Sequence, residues 1–224
     1  FENQIFGYST IKKLQIPPKL KNLNDDWNLY IKNTIEIEIS PKNDRFIYFD
    51  NKFLLGKSDE NSEEFDTLYY MRNDIEEVVI PPQVKIIKNK SFSEFNKLKS
   101  ITFTKNSKLK IMEGEVFFNS SIHKLVLPSS IEKIYDKCFY YTFNLTEIEI
   151  LPGNEIFKVI DNKYLVKKSQ TKSENYDVLL FARRDIENVI IPSYIKVINY
   201  GAFSYCQQMK SITFESNSSL ELLG

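Results

Sequence analysis

The sequence repeats itself at a fixed offset of 111 residues, without a gap, from one end to the other. Arg72-Asn-Asp-Ile-Glu-Glu-Val-Val-Ile-Pro81 returns as Arg183-Arg-Asp-Ile-Glu-Asn-Val-Ile-Ile-Pro192, and Lys99-Ser-Ile-Thr-Phe103 as Lys210-Ser-Ile-Thr-Phe214. Phe49-Asp-Asn-Lys52 returns as Ile160-Asp-Asn-Lys163. A period of this kind constrains the fold more than any composition value, because each unit buries its apolar face only by stacking on its neighbours. The 224 residues therefore read as one solenoid over 1–224, made of two tandem blocks at about 1–111 and 112–222. An apolar content of 42% is enough for a continuous core.

A shorter unit recurs inside the blocks: an apolar residue, two others, an apolar residue, one other, an apolar residue. It reads Ile11-Leu14-Ile16, Thr34-Ile37-Ile39, Ile75-Val78-Ile80, Leu98-Ile101-Phe103, Ile122-Leu125-Leu127, Leu145-Ile148-Ile150, Ile186-Val189-Ile191 and Met209-Ile212-Phe214. The steps between successive ends are 23, 41, 23, 24, 23, 41 and 23 residues, so each long step holds one unit plus 18 extra residues. The last two apolar members stand two apart, which puts both on one face of an extended chain. Each marker thus predicts a short strand, and eight of them stacked in parallel make a body roughly 35 Å long. Pro17, Pro81, Pro128 and Pro192 each end a marker, where a missing donor stops the strand. A second apolar set follows, such as Val84 and Ile87. Next comes a compact segment such as Phe92, Phe95, Leu98 or Ala202, Phe203, Cys206, Met209. Its three-to-four-residue spacing predicts one turn of α- or 3₁₀-helix.

The extra residues predict hairpin excursions at about 43–72 and 154–183. Four-residue apolar runs flank Asp50-Asn51 and Asp161-Asn162, and both residue types tolerate the positive φ of a tight turn. A further apolar run, Thr67 to Met71 or Val178 to Ala182, adds a third strand in each block. Between the second and third runs lie polar tips, 57–66 and 167–177, which differ in charge between the blocks.

This apolar grammar resembles that of leucine-rich repeats. Ile191-Pro-Ser-Tyr-Ile-Lys-Val-Ile-Asn-Tyr-Gly-Ala-Phe-Ser-Tyr-Cys-Gln-Gln-Met-Lys-Ser-Ile-Thr-Phe214 is similar in detail to the BspA-like branch, whose members occur in mucosal bacteria and protozoan parasites. Weaker matches fall at Thr34, in place of an apolar residue, and at Trp27, in a slot usually held by Ala. The resemblance implies a right-handed solenoid with a parallel sheet on the concave face. It also implies a non-catalytic, protein-binding surface or secreted protein that adheres to host-cell or extracellular-matrix proteins as a surface antigen. The alternative is an intracellular, cytoplasmic interaction scaffold of the same fold.

Thirty basic and thirty acidic residues cancel, which argues against a nucleic-acid partner. There is no run of 18 apolar residues for direct membrane insertion. His123 is the only histidine, so a histidine-rich metal site is excluded and no Cys-His or Ser-His-Asp arrangement can be built around a second one; His123 itself reads as a solvated strand residue. With no phosphate loop or nucleophile elbow either, no cofactor, metal or catalytic residue is expected. Cys138 and Cys206 lie two coils apart, too far for a disulfide, and read as small buried hydrophobes. Asn89, Asn119, Asn144 and Asn217 stand in Asn-x-Ser/Thr contexts that accept glycans in a secreted chain. Asn106 and Asn217, three residues beyond their strands, are expected to be buried amides that satisfy turn backbone. Phe92, Phe117, Phe139 and Phe203, each 12 to 14 residues beyond a strand end, are expected to form one interior stack.

The outward positions of the strands form charge bands: Lys12 and Lys13, Glu36 and Glu38, Glu76 and Glu77, Lys99, His123 and Lys124, Glu147 and Glu149, Glu187, and Lys210. Two readings stand side by side, cross-strand ion pairing and a banded protein-binding face. Pairing alone does not account for Glu38 beside Glu76 or Lys99 beside Lys124. Both ends of the sequence fall inside a coil and lack a polar capping unit, so further coils or end-to-end self-association are expected.

Overall fold

The computed structural model describes residues 11–24, 27–28, 36–170 and 173–224. Thr34 of the second marker and the middle of the second tip lie outside the described residues. The first block holds β1 (Lys13–Ile16), β2 (Glu36–Ile39), β3 (Phe46–Phe49), β4 (Phe53–Gly56), β5 (Thr67–Met71), β6 (Glu77–Ile80), β7 (Ile86–Ile87) and β8 (Ser100–Phe103). β9 (Ile111–Met112) spans the joint between blocks. The second block continues with β10 (Lys124–Leu127), β11 (Lys133–Ile134), β12 (Glu147–Ile150), β13 (Phe157–Ile160), β14 (Tyr164–Lys167) and β15 (Val178–Ala182). It ends with β16 (Asn188–Ile191), β17 (Val197–Ile198), β18 (Ser211–Phe214) and β19 (Leu222–Leu223).

The eight markers are eight strands of a first, parallel ladder, in which equivalent residues lie side by side: Leu14 with Ile37, Val78 with Ile101, Leu125 with Ile148. Their inward members Ile37, Ile101, Leu125, Ile148 and Val189 are buried. The ladder is not continuous. It comes as β1-β2, β6-β8-β10-β12 and β16-β18, interrupted at each 18-residue insertion. The cause lies in the second apolar set, which forms a second ladder of two-residue strands: β7, β9, β11, β17 and β19. The insertions join that ladder. β5 pairs in parallel with β7 and β15 with β17, and two antiparallel strands follow beyond each. Strands added on one side only force the first-ladder strands apart at the same level.

Four of the six inserted strands are not surface excursions, while the outermost ones, β3 and β13, are partly exposed. β4, β5 and β15 are buried along their whole length, as is β14 up to Val166. Their apolar runs are continuous instead of alternating, the pattern of a strand covered on both faces. In β15, Val178, Leu180 and Phe181 pack on the larger core cluster, while Leu179 and Ala182 pack on a separate cluster that reaches Leu220. The hairpin turns are as expected. Asp50 and Asn51 have φ of 51° and 49°, Asp161 and Asn162 both 52°, the two left-handed residues of a type I′ turn.

Three expectations need correction. First, no helix occurs among the described residues, and the segments after the second ladder are open turns. Each carries two left-handed residues four apart, Lys90 and Glu94, Glu115 and Asn119, Lys137 and Tyr141, Gly201 and Tyr205, and these break any helix. Second, Asn106 and Asn217 are exposed. The backbone-satisfying amides are Asn43 and Asn154. Asn43 Nδ2 donates to the carbonyls of Pro17 (2.8 Å) and Leu20 (3.1 Å), and its Oδ1 accepts from Arg45 N and Phe46 N. Asn154 does the same one block later, its Nδ2 donating to Ser129 O and Ile131 O and its Oδ1 accepting from Ile156 N and Phe157 N. Third, Phe92, Phe117 and Phe139 do stack, with centroids 5.7 and 6.2 Å apart, but Phe203 is only half-buried. The inserted Phe181 takes its place, 5.0 Å from Phe139. At the other end Tyr70, its equivalent, bridges Trp27 (5.8 Å) and Phe95 (5.9 Å).

Candidate functional site

The charge-band residues lie at the first ladder, all exposed except the half-buried Lys124. Most are engaged with one another. Lys13 Nζ lies 3.2 Å from Glu36 and 2.5 Å from Glu38, and Lys124 repeats this at 3.1 Å from Glu147 and 2.8 Å from Glu149. Lys99 meets Glu76 at 2.5 Å and Lys210 meets Glu187 at 2.7 Å. These bonds hold Lys13, Lys99 and Lys124 above the ordinary lysine range, through Glu38, Glu76 and Glu149 first. The like-charge neighbours do not arise. Glu38 and Glu76 belong to β2 and to the segment before β6, which the first insertion separates, and Lys124 lies opposite Ser100 while Lys99 turns to Glu76. Lys12, Glu77 and His123 make no ion pair with a described residue. The same face carries two exposed aliphatics at equivalent places, Val79 (56% exposed) and Ile190 (60%), each on a strand that opens a new ladder segment.

The tips are anchored at their bases. Asp66, nearly inaccessible, accepts from Ser58 N and Oγ (both 2.9 Å) and lies 3.1 Å from Lys85 Nζ; Asp177 accepts from Ser169 N and Oγ at 2.8 Å. Burial works to raise both carboxyls, yet these bonds and the nearby lysines outweigh it and hold them below the usual range. Arg72 forms a bidentate pair with Asp74 and donates to Asn51 O, and Arg183 does the same with Asp185 and Asn162 O, clipping each hairpin turn to the body.

A further cluster escaped the sequence reading. Tyr140, Tyr141, Phe143, Tyr200 and Tyr205 gather on one surface, with centroids 4.5 Å apart for Tyr140–Tyr141, Tyr141–Tyr205 and Phe143–Tyr205, and 5.8 Å for Tyr140–Tyr200. Sixty residues of sequence separate its two halves, and only the coil stacking brings them together. The available signal was broken symmetry: in the first block Asn89 and Glu94 occupy the positions of Tyr200 and Tyr205. Beneath the cluster Arg184 is 3% exposed, with no carboxylate partner among the described residues. Its guanidinium donates to Phe139 O (2.9 Å), Thr142 O (3.2 Å) and Ala202 O (3.0 Å) and lies 4.5 Å from the Phe181 ring centroid, so it ties the two turns that carry the tyrosines. Cys138 and Cys206 are buried free thiols whose ionisation burial pushes up. No cluster of three metal-ligating side chains, and no helix long and apolar enough to cross a membrane, occurs among the described residues.

The repeated ladder strand, second apolar set and turn match the profile of the BspA type leucine rich repeat region, in six copies over residues 64–175 and 178–222. The chain belongs to the BspA-type leucine-rich-repeat family. Solved structures of similar fold include the pneumococcal vaccine antigen PcpA, at 21% identity and a TM-score of 0.63 over 95% of this chain and 45% of that one. A leucine-rich repeat protein from Eubacterium ventriosum shares 20% identity over 95% and 55% of the two chains, with a TM-score of 0.56. A leucine rich cell surface protein from Faecalibacterium prausnitzii shares 16% over 96% and 66%, with a TM-score of 0.64. The chain thus spans about half the length of the first two. No curated protein sequence matches it. The matched residues take in the strands of both ladders from β6 to β18.

Proposed function

We propose that this BspA-type repeat protein is a non-catalytic protein-binding module, displayed at a cell surface, that engages host proteins through its first-ladder face. One observation carries the reading: Val79 and Ile190 stand exposed at equivalent positions on a face otherwise covered by ion pairs and polar side chains. The two are separate apolar points, one per block, each beside charged side chains; in a protein interface such apolar points supply affinity and a charged rim supplies register. The rim consists of Lys12, Lys13, Glu36, Glu38, Glu76, Glu77, Lys99, His123, Lys124, Glu147, Glu149, Glu187 and Lys210. The tips, which differ in charge between blocks, add selectivity. Membership of a family with surface-antigen relatives supports the placement at the surface.

The test is capture of surface-labelled host proteins by the immobilised chain, repeated with Val79→Asp combined with Ile190→Asp and with charge reversal of Glu147, Glu149 and Glu187. Both variants should lose about tenfold or more in retained partner, with an unchanged circular dichroism spectrum. Equal capture by both variants contradicts the placement.

A further inference from the structure

We propose that the tyrosine cluster and the groove beside it bind a neutral oligosaccharide, outside the first-ladder face and independently of protein binding there. A groove of about 380 Å³ runs past Asn89, Gly114, Tyr135 and Asp136. A second, much smaller depression of about 10 Å³ is lined in part by Tyr140 and Tyr200 and shares Tyr135, Asp136 and Lys137 with the groove, which places the cluster beside it. Tyr135 (44% exposed), Phe143 (37%) and Tyr200 (48%) are exposed to solvent. The exposed large aliphatics among the described residues, Val79, Ile190, Ile212, Leu222 and Leu223, all lie elsewhere, on first-ladder strands or the last coil.

The polar groups of the groove select an uncharged ligand. Lys88 is bridged to Glu113 at 2.8 Å and Lys90 to Glu115 at 3.2 Å, while Lys133 and Lys137 lie over the Tyr135 and Tyr200 rings at 4.0 and 5.5 Å. Asp136 accepts from Asn199 Nδ2 at 2.9 Å. Four lysines, Lys88, Lys90, Lys133 and Lys137, thus stand against three carboxylates, Glu113, Glu115 and Asp136, so the charges nearly balance and no strong field of one sign draws a polyanion or polycation. Acceptor capacity is left over: Asn89 Oδ1 is buried without a partner among the described residues. Tyr140 is pushed up to about 12, first by its hydrogen bond with Tyr200, and Tyr205 to about 12, by burial and then by its bond with Tyr141. These two hydrogen bonds join the halves of the cluster, Tyr140 to Tyr200 and Tyr205 to Tyr141.

Flat rings bordered by amides, hydroxyls and a carboxylate match a sugar, whose ring presents C–H faces for stacking and hydroxyls at its edge for hydrogen bonding. The site is also held in shape. Arg184 fixes the backbone of both tyrosine-bearing turns from below, so little ordering remains for the ligand to impose.

The experiment titrates the full chain by calorimetry with chitotetraose, cellotetraose, maltotetraose, mannotetraose and, as an anionic comparison, a heparin tetrasaccharide. At least one neutral tetrasaccharide should bind, insensitive to added salt. Affinity should fall about tenfold or more in Tyr200→Ala and in Tyr141→Ala combined with Tyr205→Ala, both with wild-type melting, while reversal of Glu147 and Glu149 leaves it unchanged. Binding of none of the neutral sugars, equal binding by the tyrosine variants, or binding of the heparin fragment alone with salt sensitivity overturns the proposal. So does capture of a protein through these tyrosines with no sugar bound.

Discussion

Single residues in this chain separate backbone requirements from packing requirements. Gly201 has a φ of 72°, and an added Cβ would meet Tyr140 at an ordinary 3.5 Å, so Gly201→Ala should cost about 1–2 kcal/mol through the backbone alone. At Gly56 the same Cβ would lie 2.6 Å from Tyr69 and 3.0 Å from Phe46, so Gly56→Ala should cost about 1–3 kcal/mol through overpacking. Urea unfolding distinguishes them further, because a smaller residue at Tyr69 rescues the second variant and nothing rescues the first. Phe139→Ala should cost about 3–5 kcal/mol, whereas Phe203→Ala, at a half-buried site outside the stack, should cost less than about 2 kcal/mol. Acid behaviour follows from Asp66 and Asp177, whose folded carboxyls sit below their unfolded values. Their contribution is complete above the unfolded range near about pH 4 and is lost as pH falls through the lower folded values. Replacing both with Asn should flatten the fall in melting temperature on acidification; an unchanged slope contradicts their role as tip anchors.

Among the elements, the type I′ hairpins and third strands were legible because Asp-Asn chemistry and apolar runs are local properties. The destination of those strands was not. Whether an apolar run faces solvent on one side depends on what covers it, and here the covering elements come from coils on either side. The short turns were misread as helical for a related reason: their apolar spacing suits a helix, but paired left-handed residues, visible only as Gly at position 201, divert the backbone. Arg184 is the element-scale device most exposed to test. In the first block its equivalent is Asn73, so the guanidinium belongs to the second insertion alone. Arg184→Ala should destabilise by about 1–3 kcal/mol, because the carbonyl of Thr142 loses its donor, while Phe139 O keeps Thr142 Oγ1 and Ala202 O keeps Ala182 N. An unchanged denaturation midpoint would show that water takes over that carbonyl.

For the whole molecule, the 111-residue period made the solenoid and its eight first-ladder strands readable, since each marker is a self-contained strand signal. The interrupted ladder was not readable, because it arises from a mismatch between two sides of the stack. The charge bands show the same limit: the residues lie at the first ladder, but their pairing depends on where the ladder breaks. The tyrosine cluster depended on contacts across an entire insertion. All three follow from one claim, that the inserted strands form internal walls of the second ladder. Site-resolved amide hydrogen exchange tests this most directly. Amides of Leu54, Leu55, Leu68 to Tyr70, Val166 and Leu179 to Phe181 should exchange as slowly as those of Ile101 and Leu125. Exchange at the rate of the tips, well ahead of the first ladder, would contradict it.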